Sequence, residues 1–297
     1  MHPTLVEAAL SGALALVVPM TALGLSDRMH DPNSVVPAAE TIDVAASVLD
    51  YPLPGEFLDR GRPAVAPSKK AEVPAFRIMK RQVGLADYGR CVAAGACAAP
   101  DAQEMSADVP VTGVSWLDAE AYARWFTKAT GASWRLPTDA EMAAAAAERF
   151  DGDSFSAGAD DPSNPAVRWI RQYRQEAAAR RPADPGPKPR GHYGSNSKGL
   201  EDFAGNVWEW TSTCYERVTL DMGEQTSTTE NCGVRVLEGR HRAYMSNFVR
   251  EGKSGGCAVG TPPDYLGFRL VEERTSLIGA IGRRLLGILG PARSNNI

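Results

Sequence analysis

Apolar and polar positions change pattern several times along the chain, and each change marks an element. From Leu5 to Leu25 the residues are almost wholly apolar, interrupted by Glu7, Ser11, Pro19 and Thr21. That length nearly spans a bilayer and equally suits a signal-peptide core, although Met1-His2-Pro3-Thr4 supplies no Lys or Arg. An apolar, Ala-rich helix of a cytosolic protein is the third reading. Residues 1–26 are taken as a signal peptide or signal anchor, and the mixed stretch 27–50 as a linker. Five prolines between Pro52 and Pro74 favour extended segments and turns. Partial alternation predicts a strand over Phe76–Val83, and Leu85–Ala94 reads as a short helix with Tyr88 on its apolar face.

The clearest helix follows Ser115, an N-cap with Asp118 three residues on. Ala119, Tyr122, Ala123 and Phe126 recur at helical spacing until Gly131 stops the run. A second helix starts at Thr138, where Glu141 closes the capping box and Ala143–Ala147 propagate it. Residues 150–200 read as a surface insertion with a basic helical middle, Ala166–Arg181. From Leu200 onward short strands alternate with turns, ending in a closing strand, Gly267–Val271. The last segment, 273–297, is separate. Its Leu277, Ile278, Ile281, Leu285, Ile288 and Leu289 line one side of a helix with Arg283 opposite, a pattern suited to a membrane surface, a partner protein or its own domain.

The 297 residues are enough for a sizeable core, and 43% apolar with 23% charged residues is an ordinary globular composition. With a net charge of −4 and no basic block, nucleic acid is not an expected partner. Five cysteines fit an oxidising compartment. Cys91 and Cys97 close a short Gly-containing loop, Cys232 ends a polar excursion that folds back to Cys214, and Cys257 is left over.

Six residues, Gly205-Asn206-Val207-Trp208-Glu209-Trp210, hold a carboxylate between two indoles. Such a charge costs free energy unless it is paired or bound to a cation. Four motifs then stand in order: Val114-Ser115-Trp116-Leu117-Asp118-Ala119 with Ala121-Tyr122, Arg135-Leu136-Pro137-Thr138-Asp139-Ala140-Glu141, Gly199 to Trp210, and Gly267-Phe268-Arg269. Together they resemble the formylglycine-generating-enzyme (sulfatase-modifying factor) family. The resemblance spans roughly residues 50–272 and implies an α+β domain over 51–272, a variant of the C-type lectin fold low in regular secondary structure.

Three stretches, Thr211–Tyr215, Val236–His241 and Gly256–Pro263, are most similar to members found alongside copper nitrite reductases in denitrifying bacteria. That likeness implies a periplasmic accessory or maturation role, with a protein or peptide partner such as a nitrite reductase. Family resemblance further implies a structural calcium ion held by the side chains of Asp202 and Glu209 and the carbonyls of Gly205 and Val207. Oxygen donors from one tight loop suit a hard cation, and Gly205 lets the backbone aim its carbonyl inward. The other reading pairs Glu209 with Arg269 or another Arg and needs no metal.

The family's oxidase activity uses a pair of Cys that binds Cu(I) upstream of the Gly-Phe-Arg strand. The matching stretch here, His241 to Val249, contains no Cys, so copper is not expected. Cys257, Tyr244, His241 and Arg250 are the remaining catalytic candidates. No His pair with a carboxylate is legible as an iron site. Three functions stay open: the accessory factor, an oxidoreductase of the formylglycine or siderophore-maturation type with altered residues, and a lectin-like ligand-binding module.

Overall fold

The computed structural model describes residues 36–101, 108–150, 186–252 and 265–273. The expected apolar segment 5–25, the helix 166–181, the tail helix 276–289 and Cys257 lie outside them. Among the described residues no helix is long and apolar enough to cross a membrane.

Helix and sheet are mixed, as an α+β reading requires. One sheet runs in the order β1 (Thr41–Val44), β6 (Phe76–Met79), β12 (Val271–Glu272), β7 (Trp134–Arg135). β6 pairs antiparallel with β1 on one side (Thr41 opposite Met79) and with β12 on the other (Val271 opposite Ile78). A second sheet runs β10 (Ala243–Ser246), β9 (Glu224–Glu238), β8 (Trp208–Asp221), β3 (Glu56–Asp59), β4 (Arg62–Ala64), with β11 (Leu266–Gly267) parallel to β8. β2 (Ser47–Pro52) and β5 (Ser68–Val73) form a separate ladder.

Three expectations change. Residues 41–50, read as linker, contribute β1 and part of β2. Of the strands after Leu200, β10, β11 and β12 are short as expected, whereas β8 and β9 form a long hairpin of 14 and 15 residues. Its turn is Met222-Gly223, both with positive φ (52° and 86°), the two-residue geometry that matches strand twist. The closing strand is broken into β11 and β12, with the fully buried Phe268, Arg269 and Leu270 between them.

The helices follow their sequence signals. α1 (Leu85–Ala93) buries Tyr88. α2 (Trp116–Thr130) has a reciprocal capping box, in which the Asp118 N–H donates to Ser115 Oγ (3.2 Å) and the Ser115 N–H to Asp118 Oδ2 (2.8 Å). It ends at Gly131 in the left-handed region. Tyr122 stacks between Tyr88 (5.7 Å) and Phe126 (5.6 Å) with Phe268 edge-on at 5.5 Å. Burying each such ring contributes roughly 1.5–3 kcal/mol.

α3 (Asp139–Ala146) is buried on every side, and its alanines let Ile78, Leu200 and Phe203 approach closely. No glycine caps its end. Asn196 Nδ2 donates to the carbonyls of Ala145 and Ala146 (2.7 and 2.9 Å), and Lys198 Nζ donates to that of Ala144. Orphan carbonyls of the last turn are thereby satisfied.

Candidate functional site

Each residue of Gly205–Trp210 has a specific structural partner. Gly205 does not take a positive φ, so its backbone freedom is not what selects glycine. A Cβ there would lie 2.5 Å from Cγ of Tyr193, a steric exclusion. Asn206 clips the neighbouring strand of chain, its side chain accepting from the Lys188 N–H and donating to the Lys188 carbonyl, both at 2.9 Å. Trp208 packs over Gly239, where a Cβ would meet the indole at 2.7 Å. Trp210 is fully buried and donates its Nε1–H to the Val114 carbonyl (3.0 Å).

Glu209 is 1% exposed and bound bidentately by the fully buried Arg269, Nε to Oε2 at 2.5 Å and Nη2 to Oε1 at 2.7 Å. Arg269 also donates to the carbonyls of Met79, Lys80 and Glu201. Gln82 Nε2 donates to Glu209 Oε1 (2.9 Å). Asp202 has another task. Its carboxylate accepts from the N–H groups of Gly191 and Tyr193 and so holds the 191–194 turn in place. Asp202 and Ala204 both take positive φ (61° and 63°).

A second buried charge cluster escaped the sequence reading. Arg242 donates to Asp139 Oδ2 (2.7 Å) and from Nε to Glu238 Oε1 (3.2 Å), all three side chains being at most 1% exposed. Two carboxylates thus share one guanidinium. Burial, and then the charge of Asp139, push the Glu238 carboxyl well above its usual range, and its Oε2 has no hydrogen-bond partner. Arg135 and Glu141 form an ion pair (2.6 Å).

The catalytic candidates have different surroundings. His241 is buried, edge-on to Trp208 at 4.7 Å, with Nδ1 against the Arg242 carbonyl (2.8 Å). The Tyr244 hydroxyl accepts from the Gly55 N–H (2.7 Å), and its ring meets Tyr215 edge-on at 5.3 Å. Arg250 ties Asp118 (2.9 Å) to Asp101 (3.0 Å) at the start of α2. A cavity of about 180 Å³ opens instead beside residues 36–40, lined by Arg81, Gln82, Asp87, Arg90, Tyr122 and Arg190 among others. Its arginines are already paired, Arg81 with Glu201 and both Arg90 and Arg190 with Asp87.

Residues 34–274 match the Sulfatase-modifying factor enzyme 1-like domain. The chain belongs to this family. It is 40% identical over 178 residues to the formylglycine-generating enzyme of Streptomyces coelicolor, which covers 55% of this chain and 52% of that one. It is 32% identical over 174 residues to the inactive C-alpha-formylglycine-generating enzyme 2 of Bos taurus, covering 54% and 50%. A hercynine oxygenase of Mycolicibacterium smegmatis is 32% identical over 162 residues, covering 50% and 34%. The chain therefore spans about half the length, or less, of these relatives. The solved structure of PvdO from Pseudomonas aeruginosa aligns over 80% of this chain and 95% of that one, with 18% identity and a TM-score of 0.49.

Membership in the sulfatase-modifying factor family bears on calcium through the chemistry of this corner. Asp202 is a fully buried carboxylate with backbone donors and, among the described residues, no cationic side chain paired to it. Nearby Gln82 Oε1 is buried without a hydrogen-bond partner. Both features fit a hard cation. Glu209 fits less well, because Arg269 already neutralises it, and it can offer a cation only an oxygen that it shares. The described residues contain one cluster of three metal-ligating groups, Cys214, Glu230 and Cys232. It holds no metal set in this state, since the two thiols form a disulfide. Cys91 and Cys97 form the other, so both expected pairings are present.

Proposed function

We propose that this protein is an exported accessory or maturation factor of denitrification, acting on or beside a nitrite reductase. The observation that carries the reading is an intact scaffold around an altered oxidase stretch. The corner built on Glu209 and Arg269 and both capping boxes are in place, whereas His241–Val249 supplies no thiolate. His241 and Tyr244 are engaged with Trp208, Gly55 and Tyr215. A soft Cu(I) ion finds no thiolate pair in that stretch. Calcium at Asp202, with the carbonyls of Gly205 and Val207 and a shared oxygen of Glu209, would hold the corner. Two disulfides support a periplasmic location. Either terminal segment offers a means of membrane association.

Deleting the gene in the source organism tests this reading. Nitrite reductase protein is expected to accumulate with its activity lost, and wild-type nitrite reduction in the deletion strain would overturn the proposal. Stoichiometric copper in the purified protein would overturn the non-copper assignment.

The hercynine oxygenase relatives favour a second reading, an oxidoreductase with a rearranged site involving Tyr244, Arg250 and Cys257. Cys257→Ala separates the two. An unchanged phenotype excludes thiol chemistry at that position, and loss of function with normal folding excludes a purely scaffolding role.

A further inference from the structure

The Cys214–Cys232 disulfide joins adjacent strands of the β8–β9 hairpin, where the ladder slips register between Cys214 and Tyr215. Cys232 is exposed and Cys214 half-buried. A cation touches the Cys214 sulfur, while a carboxylate lies near both sulfurs. On one side, Arg235 Nη1 donates to Cys214 Sγ at 3.0 Å and to the Ser212 carbonyl at 2.6 Å. The Arg235 guanidinium stacks 3.9 Å above the Trp116 ring, and among the described residues it has no carboxylate at ion-pair distance. Its Nε is buried without a partner. On the other side, a Glu230 carboxylate oxygen lies within 4.8 Å of both sulfurs. Glu120 of α2 is the other carboxylate acting on Arg235.

We propose that Cys214–Cys232 is a thiol–disulfide exchange site that accepts an electron pair from a dithiol reductant. The thiolate of the dithiol attacks the accessible Cys232 sulfur. The S–S bond breaks, a mixed disulfide forms on Cys232, and Cys214 leaves as a thiolate held by the Arg235 cation. The second thiol of the reductant then attacks the mixed disulfide, releasing Cys232 and leaving the reductant as its own disulfide. Two electrons and two protons pass to the protein. Arg235 accelerates the first step because a leaving thiol of lower pKa departs faster. From Val218 to Val234 the chain has no Lys or Arg but carries Asp221, Glu224 and Glu230, so the hairpin favours a dithiol flanked by basic side chains. Cys91–Cys97 is an internal control, since Cys91 is fully buried and Cys97 half-buried, so neither sulfur is as accessible as that of Cys232.

The test treats the folded full chain with dithiothreitol at pH 7, quenches by alkylation, and maps the modified cysteines by mass spectrometry. Cys214 and Cys232 are expected to be labelled while Cys91–Cys97 stays oxidised. Arg235→Met should slow reduction about tenfold, and Arg235→Lys should restore most of the rate. In the reduced protein, alkylation of Cys214 should titrate at lower pH than that of Cys232. Equal lability of both disulfides, an unchanged rate in Arg235→Met with native circular dichroism, or the reverse titration order would each overturn the proposal.

Discussion

Replacing Arg269 with Met tests whether the Glu209 corner is held by charge pairing. The change keeps side-chain length but removes two donors to Glu209 and the donors to three carbonyls. Glu209 is then left buried with only Gln82 as its side-chain donor. Breaking a fully buried pair by removing one partner costs about 3–5 kcal/mol. The abandoned carbonyls add about 1 kcal/mol or more. Against a total stability of about 5–15 kcal/mol, that loss is a large fraction of the margin, so the urea midpoint of the variant should fall steeply. Glu209→Gln keeps the shape but leaves the buried Arg269 cation unpaired and turns one acceptor oxygen into a donor, so it is costly as well. The double variant Glu209→Gln/Arg269→Met should therefore cost at least about 2 kcal/mol less than the sum of the two single changes. Arg217→Met is the surface control: its partner is Glu56, the side chains are 58% and 39% exposed, and the loss should be within about 1 kcal/mol. Urea unfolding followed by tryptophan fluorescence measures all four. Additivity of the two changes, or a cost below about 1.5 kcal/mol for Arg269→Met, would refute the reasoning.

Three further outcomes are expected. Glu238 holds its proton to a higher pH when folded than the roughly 4.3 of an unfolded glutamate. Its contribution to stability is therefore complete below about pH 4.3 and is lost as pH rises through the folded value. Glu238→Gln should gain on the wild type as pH rises, and parallel stability curves would count against this. Adding EGTA should lower the thermal midpoint by several degrees, and Asp202→Asn should shrink that shift, whereas a midpoint indifferent to calcium removes the ion from the proposal. Gly205→Ala should cost about 1–3 kcal/mol through collision with Tyr193. Near-wild-type stability in that variant would show that the Tyr193 ring yields freely.

Local signals were legible and long-range ones were not. Ser115 with Asp118, and Thr138 with Glu141, announce helix starts because a capping box is complete within four residues. The indole-flanked Glu209 announces that a partner must exist, a cation or an arginine, and Arg269 was the arginine named among the candidates. The arrangement around Asp202 depends on the turn at 191–194, and no spacing rule places that turn beneath it. β1 has only four residues, too few for an alternation to stand out from a linker. The hairpin's outer half is exposed and polar, so no apolar period marks its length. Asp139 lies in the first turn of α3. Only the approach of Arg242, 103 residues later, makes it a buried ion.

β6 sits between a strand made before it and one made almost 200 residues later. Arg77 of β6 bonds Glu272 of β12 across 195 positions, and Arg269 reaches back to the carbonyls of Met79 and Lys80. A nascent chain still short of residue 269 therefore has an open sheet edge at β6 and an uncompensated acid at Glu209. The domain closes only when its end has been synthesised, which makes late folding a built-in property.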